Sequence, residues 1–402
     1  MERKLQKSKW LGLIPVAFLL AMLLSLSALA APRTVTGLKQ TGDSTSSVQV
    51  EWDAVTGTRI RYQVAWSDNQ TNWATSTSYS PRAYISNLSS GKTYYVKVAV
   101  IEDDVVGNYS NVIQVVTRPG MINSGTVEQS DAKTNAISLQ WPAVTGATGY
   151  RVYDYVNGTS GQERGLATGN GITISGLNPE TEYTFLIVPE RANGSYTAAN
   201  TYGVIARATT LSTGVTGIDL SSGSFRSKTV SMRWDGKSNV DGYEIQLYNY
   251  KGKKKVGKKI EASAYSSYAQ LKGVKPNSFY QVKIRSYVMT SAGKKYSAWT
   301  TAYTNTQPKV KVRKSGSAIS LSWKKVQGAT NYTIYGRKGR SNDRDTFKKL
   351  GQTKSAKYTV KKIKKQKIKK KGTYSFFVVA NRKVKGKTYS SAVGYSFTID
   401  LR

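Results

Sequence analysis

The residues with the greatest capacity for chemistry in this 402-residue chain are lysines. The run Lys361-Lys362-Ile363-Lys364-Lys365-Gln366-Lys367-Ile368-Lys369-Lys370-Lys371 puts eight ammonium groups into eleven positions, and Lys251, Lys253, Lys254, Lys255, Lys258 and Lys259 put six into nine. Cations at this density attract polyanions electrostatically. Bond-making chemistry has few instruments here. Histidine and cysteine are both absent, which removes the commonest general base, the commonest metal ligand and the thiol nucleophile. Among carboxylates, Glu102-Asp103-Asp104 is an acidic turn without the regularly spaced oxygen ligands that Ca²⁺ needs, and Asn342-Asp343-Arg344-Asp345 lacks the glycine and distal glutamate of a calcium loop. A glycosidase needs two carboxyl groups facing each other across a cleft, and no such pairing is evident. The expectation is a non-enzyme with no cofactor and no metal site.

Lysine outnumbers arginine by 34 to 9 between Leu211 and Arg402. Lysine is a strongly hydrated point charge, whereas the arginine fork suits bidentate and base-edge recognition. The balance favours diffuse attraction to a repeating anionic polymer and no sequence-specific nucleic acid. Aromatics supply a second candidate chemistry. Tyr153, Tyr248 and Tyr335 point away from the inward residues of their strands, where their rings could stack on sugars; cross-strand packing is the ordinary role of such rings.

What must position these residues is legible from periodicity. Trp52, Trp141, Trp234 and Trp323 recur at intervals of 89, 93 and 89 residues, each ending an alternating apolar run such as Val48-Gln49-Val50-Glu51-Trp52 or Ile319-Ser320-Leu321-Ser322-Trp323. A period of two places the apolar residues on one face of a strand. Nine or ten residues later a tyrosine (Tyr62, Tyr150, Tyr243, Tyr332) opens a second alternating strand. Then an apolar residue, a turn and a tyrosine six positions on (Tyr94, Tyr183, Tyr280, Tyr374) open the longest strand of each repeat. A glycine turn with a Tyr-Ser or Tyr-Thr pair is read as opening the last strand. Leu177-Asn178-Pro179-Glu180-Thr181-Glu182-Tyr183 is the cleanest copy of the turn before the long strand.

This grammar resembles the fibronectin type III family. The resemblance implies four tandem seven-stranded antiparallel β-sandwiches, hence an all-β fold, with the four tryptophans and Tyr94, Tyr183, Tyr280 and Tyr374 in the structural core. Ser90 stands where the turn proline would be in the first repeat, and the Arg-Gly-Asp of some family members is absent. The expected divisions are 31–118, 119–210, 211–306 and 307–402, called repeats one to four below. Residues 1–30 read as an export signal: Arg3, Lys4, Lys7 and Lys9 precede an apolar stretch from Leu11 to Leu24, and Ala28-Leu29-Ala30 offers a cleavage site. An uncleaved anchor is the alternative.

The charge does not follow the repeats. Formal net charge is +1 for Pro32–Arg118, −2 for Pro119–Thr210, +11 for Leu211–Thr306 and +24 for Gln307–Arg402. Repeats one and two are built from the same grammar without this charge, so the fold does not require it. The combination predicts an exported, secreted or surface-bound bacterial adhesion or spacer protein. Its basic repeats would contact an anionic envelope or extracellular polymer (wall teichoic acid-like, an anionic glycan or extracellular DNA), and repeats one and two would meet a protein or glycan partner. Short linkers such as Thr304-Asn305-Thr306-Gln307-Pro308 predict a monomeric, stiff, extended rod. Alternatives are a carbohydrate-binding accessory protein using the three outward tyrosines, or a signal-anchored surface protein.

Overall fold

The computed structural model describes residues 33–402 apart from 201, 223, 224, 342, 392 and 394, so the expected export segment lies outside the described residues. In repeat one the strands are β1 (Lys39–Asp43), β2 (Val48–Glu51), β3 (Arg61–Ser67), β4 (Ala74–Ser78), β5 (Arg82–Ile85), β6 (Thr93–Glu102), β7 (Val105–Tyr109) and β8 (Ile113–Val116). One sheet has the order β1-β2-β5; the other runs β4-β3-β6-β7, with β8 also on β6. The same pair of sheets, three-stranded and five-stranded, recurs in the other three repeats. The fold is all-β and built of antiparallel sandwich-like sheet pairs, as the alternation predicts.

The pattern follows from the pleat. In β2, Val48 and Val50 are buried while Gln49 and Glu51 between them stay partly exposed. Each tryptophan is buried (4–7 % exposed) and meets the tyrosine of the following strand edge-on, with ring centroids 5.1–5.3 Å apart. Those tyrosine hydroxyls accept from the amides of Val55, Val144, Lys237 and Val326 at 2.7–3.0 Å, closing the loop between the two strands. A second set closes the turn before the long strand: the amides of Ser89, Asn178, Lys275 and Lys369 donate to Tyr94, Tyr183, Tyr280 and Tyr374 at 2.8–2.9 Å. Tyr183 does this while only half-buried; the other three are buried.

By compactness the chain forms two units. One contains the residues up to Thr126 together with Trp141–Asn170 and Phe185–Ile205. The other contains Val127–Gln140, Gly171–Thr184 and Ala206–Arg402. The first holds the core of repeat one, around Val50, Trp52, Val64, Val96 and Val98. The second holds the cores of repeat three, around Met232, Trp234, Tyr243 and Ile284, and of repeat four, around Leu321, Trp323, Ile334 and Phe376.

One local expectation is corrected. The Tyr-Ser pairs do not open the last strand in repeats one and three; they end its first half, because the strand is broken in two. In repeat one, β7 pairs the end of β6 and β8 pairs its start. At the break Ser110 donates its amide to Val98 O and its hydroxyl accepts from Val98 N, at 2.8 and 3.1 Å. Ser297 does the same to Ser286, both distances being 3.0 Å, and Ser391 to Ala380, at 2.8 and 3.0 Å. A hydroxyl that replaces a backbone acceptor lets the chain leave the ladder without orphaning an amide. In repeat two the partner is Pro189, which has no N–H, and Asn200 stands in place of serine. Ser286 and Ser297 are both buried. Replacing Ser297 with Ala leaves the Ser286 amide unpaired and is expected to cost about 1–3 kcal/mol, read as a lower urea midpoint. An unchanged midpoint would show that the hydroxyl is dispensable.

Candidate anion-binding cleft

The lysine run of repeat four is held by its two isoleucines. Ile363 and Ile368 are buried, each 9 % exposed, and belong to the same core cluster as Trp323. Between them the chain makes a small hairpin, Lys362–Ile363 pairing with Gln366–Lys367, and the Ile368 amide donates to Lys361 O at 3.1 Å. Lys364 turns the hairpin in the left-handed region, at φ +51°. The rest of the segment projects outward: Lys361, Lys362, Lys364, Lys365, Lys367, Lys369, Lys370 and Lys371 are all exposed.

This hairpin faces the ends of the central strands of repeat four, Asn331–Lys338 and Gly372–Val384, which pair Lys338 with Tyr374. The space between is a cleft of about 550 Å³, and its lining includes Arg337, Lys338, Lys348, Lys364, Lys365, Lys367 and Lys369 with no carboxylate. Arg337 is pinned by hydrogen bonds to Thr346 Oγ1 (2.6 Å) and Lys338 O (3.1 Å). The acidic residues of repeat four are engaged elsewhere or lie outside the lining. The Asp343 carboxylate accepts from the Asp345 amide to cap a single 3₁₀ turn, Arg344–Thr346, which carries Asp345 itself. The Asp400 carboxyl is held below its ordinary range by the Thr373 hydroxyl and then by Arg340. A cleft of this kind can bind and orient anionic groups.

The cluster in repeat three is split by the structure. Lys251, Lys253 and Lys254 lie in the turn that follows strand Gly242–Asn249, where Gly252 takes φ +74° and Asn249 Oδ1 accepts from the amides of Lys253 and Lys254 at 3.1 and 3.3 Å. Lys255 and Lys258 stand exposed on the next strand, Lys255–Ser263. Lys259 differs from its neighbours. It lies 3.1 Å from Glu261 and 3.6 Å from Glu244, and its ammonium pKa is raised, first by the Glu261 contact and then by the Glu244 charge. Its charge is therefore already answered within the protein.

The three outward tyrosines are half-buried. Tyr335 stacks on Phe377 at 4.7 Å, and Phe347 packs on Phe377 in turn. The ammonium of Lys283 lies 5.2 Å from the Tyr248 ring. Burial raises the Tyr153 hydroxyl pKa, with Glu163 and Leu186 as its cross-strand neighbours. The fully open rings are others, Tyr265 above all at 100 % exposure. In the acidic turn, Asp103 and Asp104 both take positive φ, and the flanking charges are paired, Arg33 with Glu102 at 3.6 Å and Arg61 with Asp104. Among the described residues no group of three His, Cys, Asp or Glu is placed to hold a metal. No helix among them is long and apolar enough to cross a membrane.

Residues 30–116 match the fibronectin type III domain family, and this first repeat shares its sheet order, its tryptophan–tyrosine pair and its turn-closing tyrosine with the other three. The first repeat is a fibronectin type III domain, and the chain carries its architecture four times. Chitinase A1 of Niallia circulans is 32 % identical over 206 residues, which is 46 % of this chain and 27 % of that protein. Receptor-type tyrosine-protein phosphatase eta of Homo sapiens is 27 % identical over 250 residues, 62 % of this chain and 18 % of that protein. The chain thus spans about a quarter or less of either relative. The crystal structure of chicken CNTN1 FN1-FN3 domains covers 68 % of this chain and 98 % of its own, at 14 % identity and a TM-score of 0.29. The bacterial relative agrees with the origin expected from sequence.

Three of the seven cations lining the cleft, Arg337, Lys338 and Lys348, were not singled out by sequence. They lie between 13 and 24 positions before the lysine run begins, and two strand pairings, Lys338 with Tyr374 and Gly336 with Lys348, bring them to it. The signal available beforehand was weak: basic residues clustered at the end of a strand that otherwise alternates.

Proposed function

We propose that this fibronectin type III protein is a non-catalytic adhesion and spacer protein, exported and retained at the cell surface by charge. Repeats three and four bind an anionic envelope or extracellular polymer, and repeats one and two are left for a protein or glycan partner. The observation that carries the reading is the cleft of repeat four, seven cations and no carboxylate around about 550 Å³. In a protein with no need of a counter-charge, such cations repel one another and oppose the compact state. A repeating polyanion answers them together, by releasing its own condensed counterions. The test is retention on isolated cell walls as salt rises. The whole chain should bind and elute with salt, whereas a chain ending at Thr210 should not bind. Equal binding of both, or binding that ignores salt, would contradict the reading.

The similarity to a chitinase supports a second reading, a carbohydrate-associated module. In that case binding to a neutral glycan is insensitive to salt and is lost in Tyr153→Ala or Tyr248→Ala. Salt-sensitive binding that survives both substitutions would dismiss it.

A further inference from the structure

Repeats three and four meet through a joint that concentrates positive charge. The Phe279 amide donates to Gln327 O and the Gln327 amide to Asn277 O, each at 2.9 Å, so backbone from the two repeats is directly bridged. Phe279, fully buried, packs in the core cluster of repeat four. Arg382 donates from Nη1 to Gly328 O at 2.8 Å and from Nη2 to Tyr250 O at 3.0 Å, with its guanidinium over the rings of Tyr303 and Tyr250. The connection Thr304–Gln307 is buried throughout.

Four segments therefore converge: 250–254, 275–279, 324–328 and 382–383. Together they carry eight basic residues, Lys251, Lys253, Lys254, Lys275, Lys324, Lys325, Arg382 and Lys383, and no Asp or Glu. The seven lysines are exposed, and none of them forms an ion pair among the described residues. Closing the joint brings like charges together, which costs energy that falls only as salt or a ligand screens them.

We infer that this joint is itself a binding site for a linear phosphate polymer, and that the bound polymer holds the joint closed. The inference rests on the polyanion reading above and adds a second site and a mechanical consequence. A protein partner would need a desolvated apolar or aromatic anchor, and here the rings of Tyr250 and Tyr303 are already taken up by Arg382. Lysines on flexible stems around a rim suit a chain of evenly spaced charges instead. The site is distinct from the cleft. Asn331 pairs Asn381 at the joint end of the central strands and Lys338 pairs Tyr374 at the cleft end, so the two lie roughly 23 Å apart at about 3.3 Å per residue.

The test is hydrogen exchange at the Phe279 and Gln327 amides of the intact chain, with long-chain inorganic polyphosphate added at fixed ionic strength. If the polymer binds only the closed joint, protection should rise by about a hundredfold at a concentration of ~100 times its Kd. The double variant Lys324→Ser, Lys325→Ser should lose most of that gain, and Lys324→Arg, Lys325→Arg should keep it, separating charge from folding. Lys39→Ser with Arg82→Ser, exposed cations of the first repeat outside both sites, should leave it intact. Binding without added protection overturns the inference while the polyanion reading stands. Absence of binding overturns both. Equal protection by tripolyphosphate would replace the polymer with a small-anion site.

Discussion

Raising salt from 50 to 200 mM is expected to weaken binding of the intact chain to a long phosphate polymer by about 10³–10⁵-fold, the range for a surface that neutralises six to ten phosphates. Seven cations line the cleft of repeat four, which places it in that range even before the joint contributes. The quadruple variant Lys364→Ser, Lys365→Ser, Lys367→Ser, Lys369→Ser removes four of them. Each lost phosphate contact lowers the slope of log affinity against log salt by about 0.7–0.9, so the slope should fall by about three. The loss should be the same for DNA of any sequence, because lysine point charges on a cleft without base-reading forks carry no sequence information. The measurement is a salt titration of affinity for wild type and variant. A slope unchanged by the four substitutions would mean that the polymer binds elsewhere. Folding is a smaller concern, since the anchors Ile363 and Ile368 are retained and the four lysines are exposed.

Replacing Trp323 with Ala should destabilise repeat four by about 3–5 kcal/mol, as for other large aromatic side chains deleted from a core. The indole is 7 % exposed, meets Tyr332 edge-on at 5.1 Å, and shares a cluster with Leu321, Ile334, Phe376 and both isoleucine anchors of the lysine hairpin. Against a domain stability of about 5–15 kcal/mol, that is a large fraction. The substitution should therefore lower the urea midpoint of the fourth repeat and loosen the cleft with it, although every cation remains. Tyr332→Phe makes a useful comparison. It keeps the ring but leaves the buried Val326 amide without its 2.8 Å acceptor, at a cost of about 1–3 kcal/mol. A tryptophan variant that loses less than about 1 kcal/mol would show that this core can collapse around the gap.

How much of this was readable in advance differs by element. The strands around Trp52, Trp141, Trp234 and Trp323 were legible because a two-residue period is a local property that the pleat converts directly into an inner and an outer face. The turn-closing tyrosines were legible because each follows the apolar residue before its turn by six positions, a local spacing. The break in the last strand was not. It depends on a serine hydroxyl meeting one amide across the sheet, as Ser297 meets Ser286, and on Pro189 having no amide to meet. For Tyr335 the expected cross-strand packing is supplied by Phe377 opposite it, whereas the further cover from Phe347 was not legible.

For the functional residues the division is similar. Sequence alone established the amount of charge and its step near Leu211, because formal charge is a sum over residues and needs no coordinates. The display of the lysine run rests on Ile363 and Ile368, which interrupt it and are both buried. Only the tertiary structure decided which cations act together. Coulomb energy depends on distance in space and on local dielectric. Lys259, five positions from Lys254, is occupied by Glu261 and Glu244. Lys338 and Lys367, twenty-nine positions apart, line one cleft. The joint of repeats three and four is the extreme case: its eight cations come from four segments that neither repeat assembles by itself.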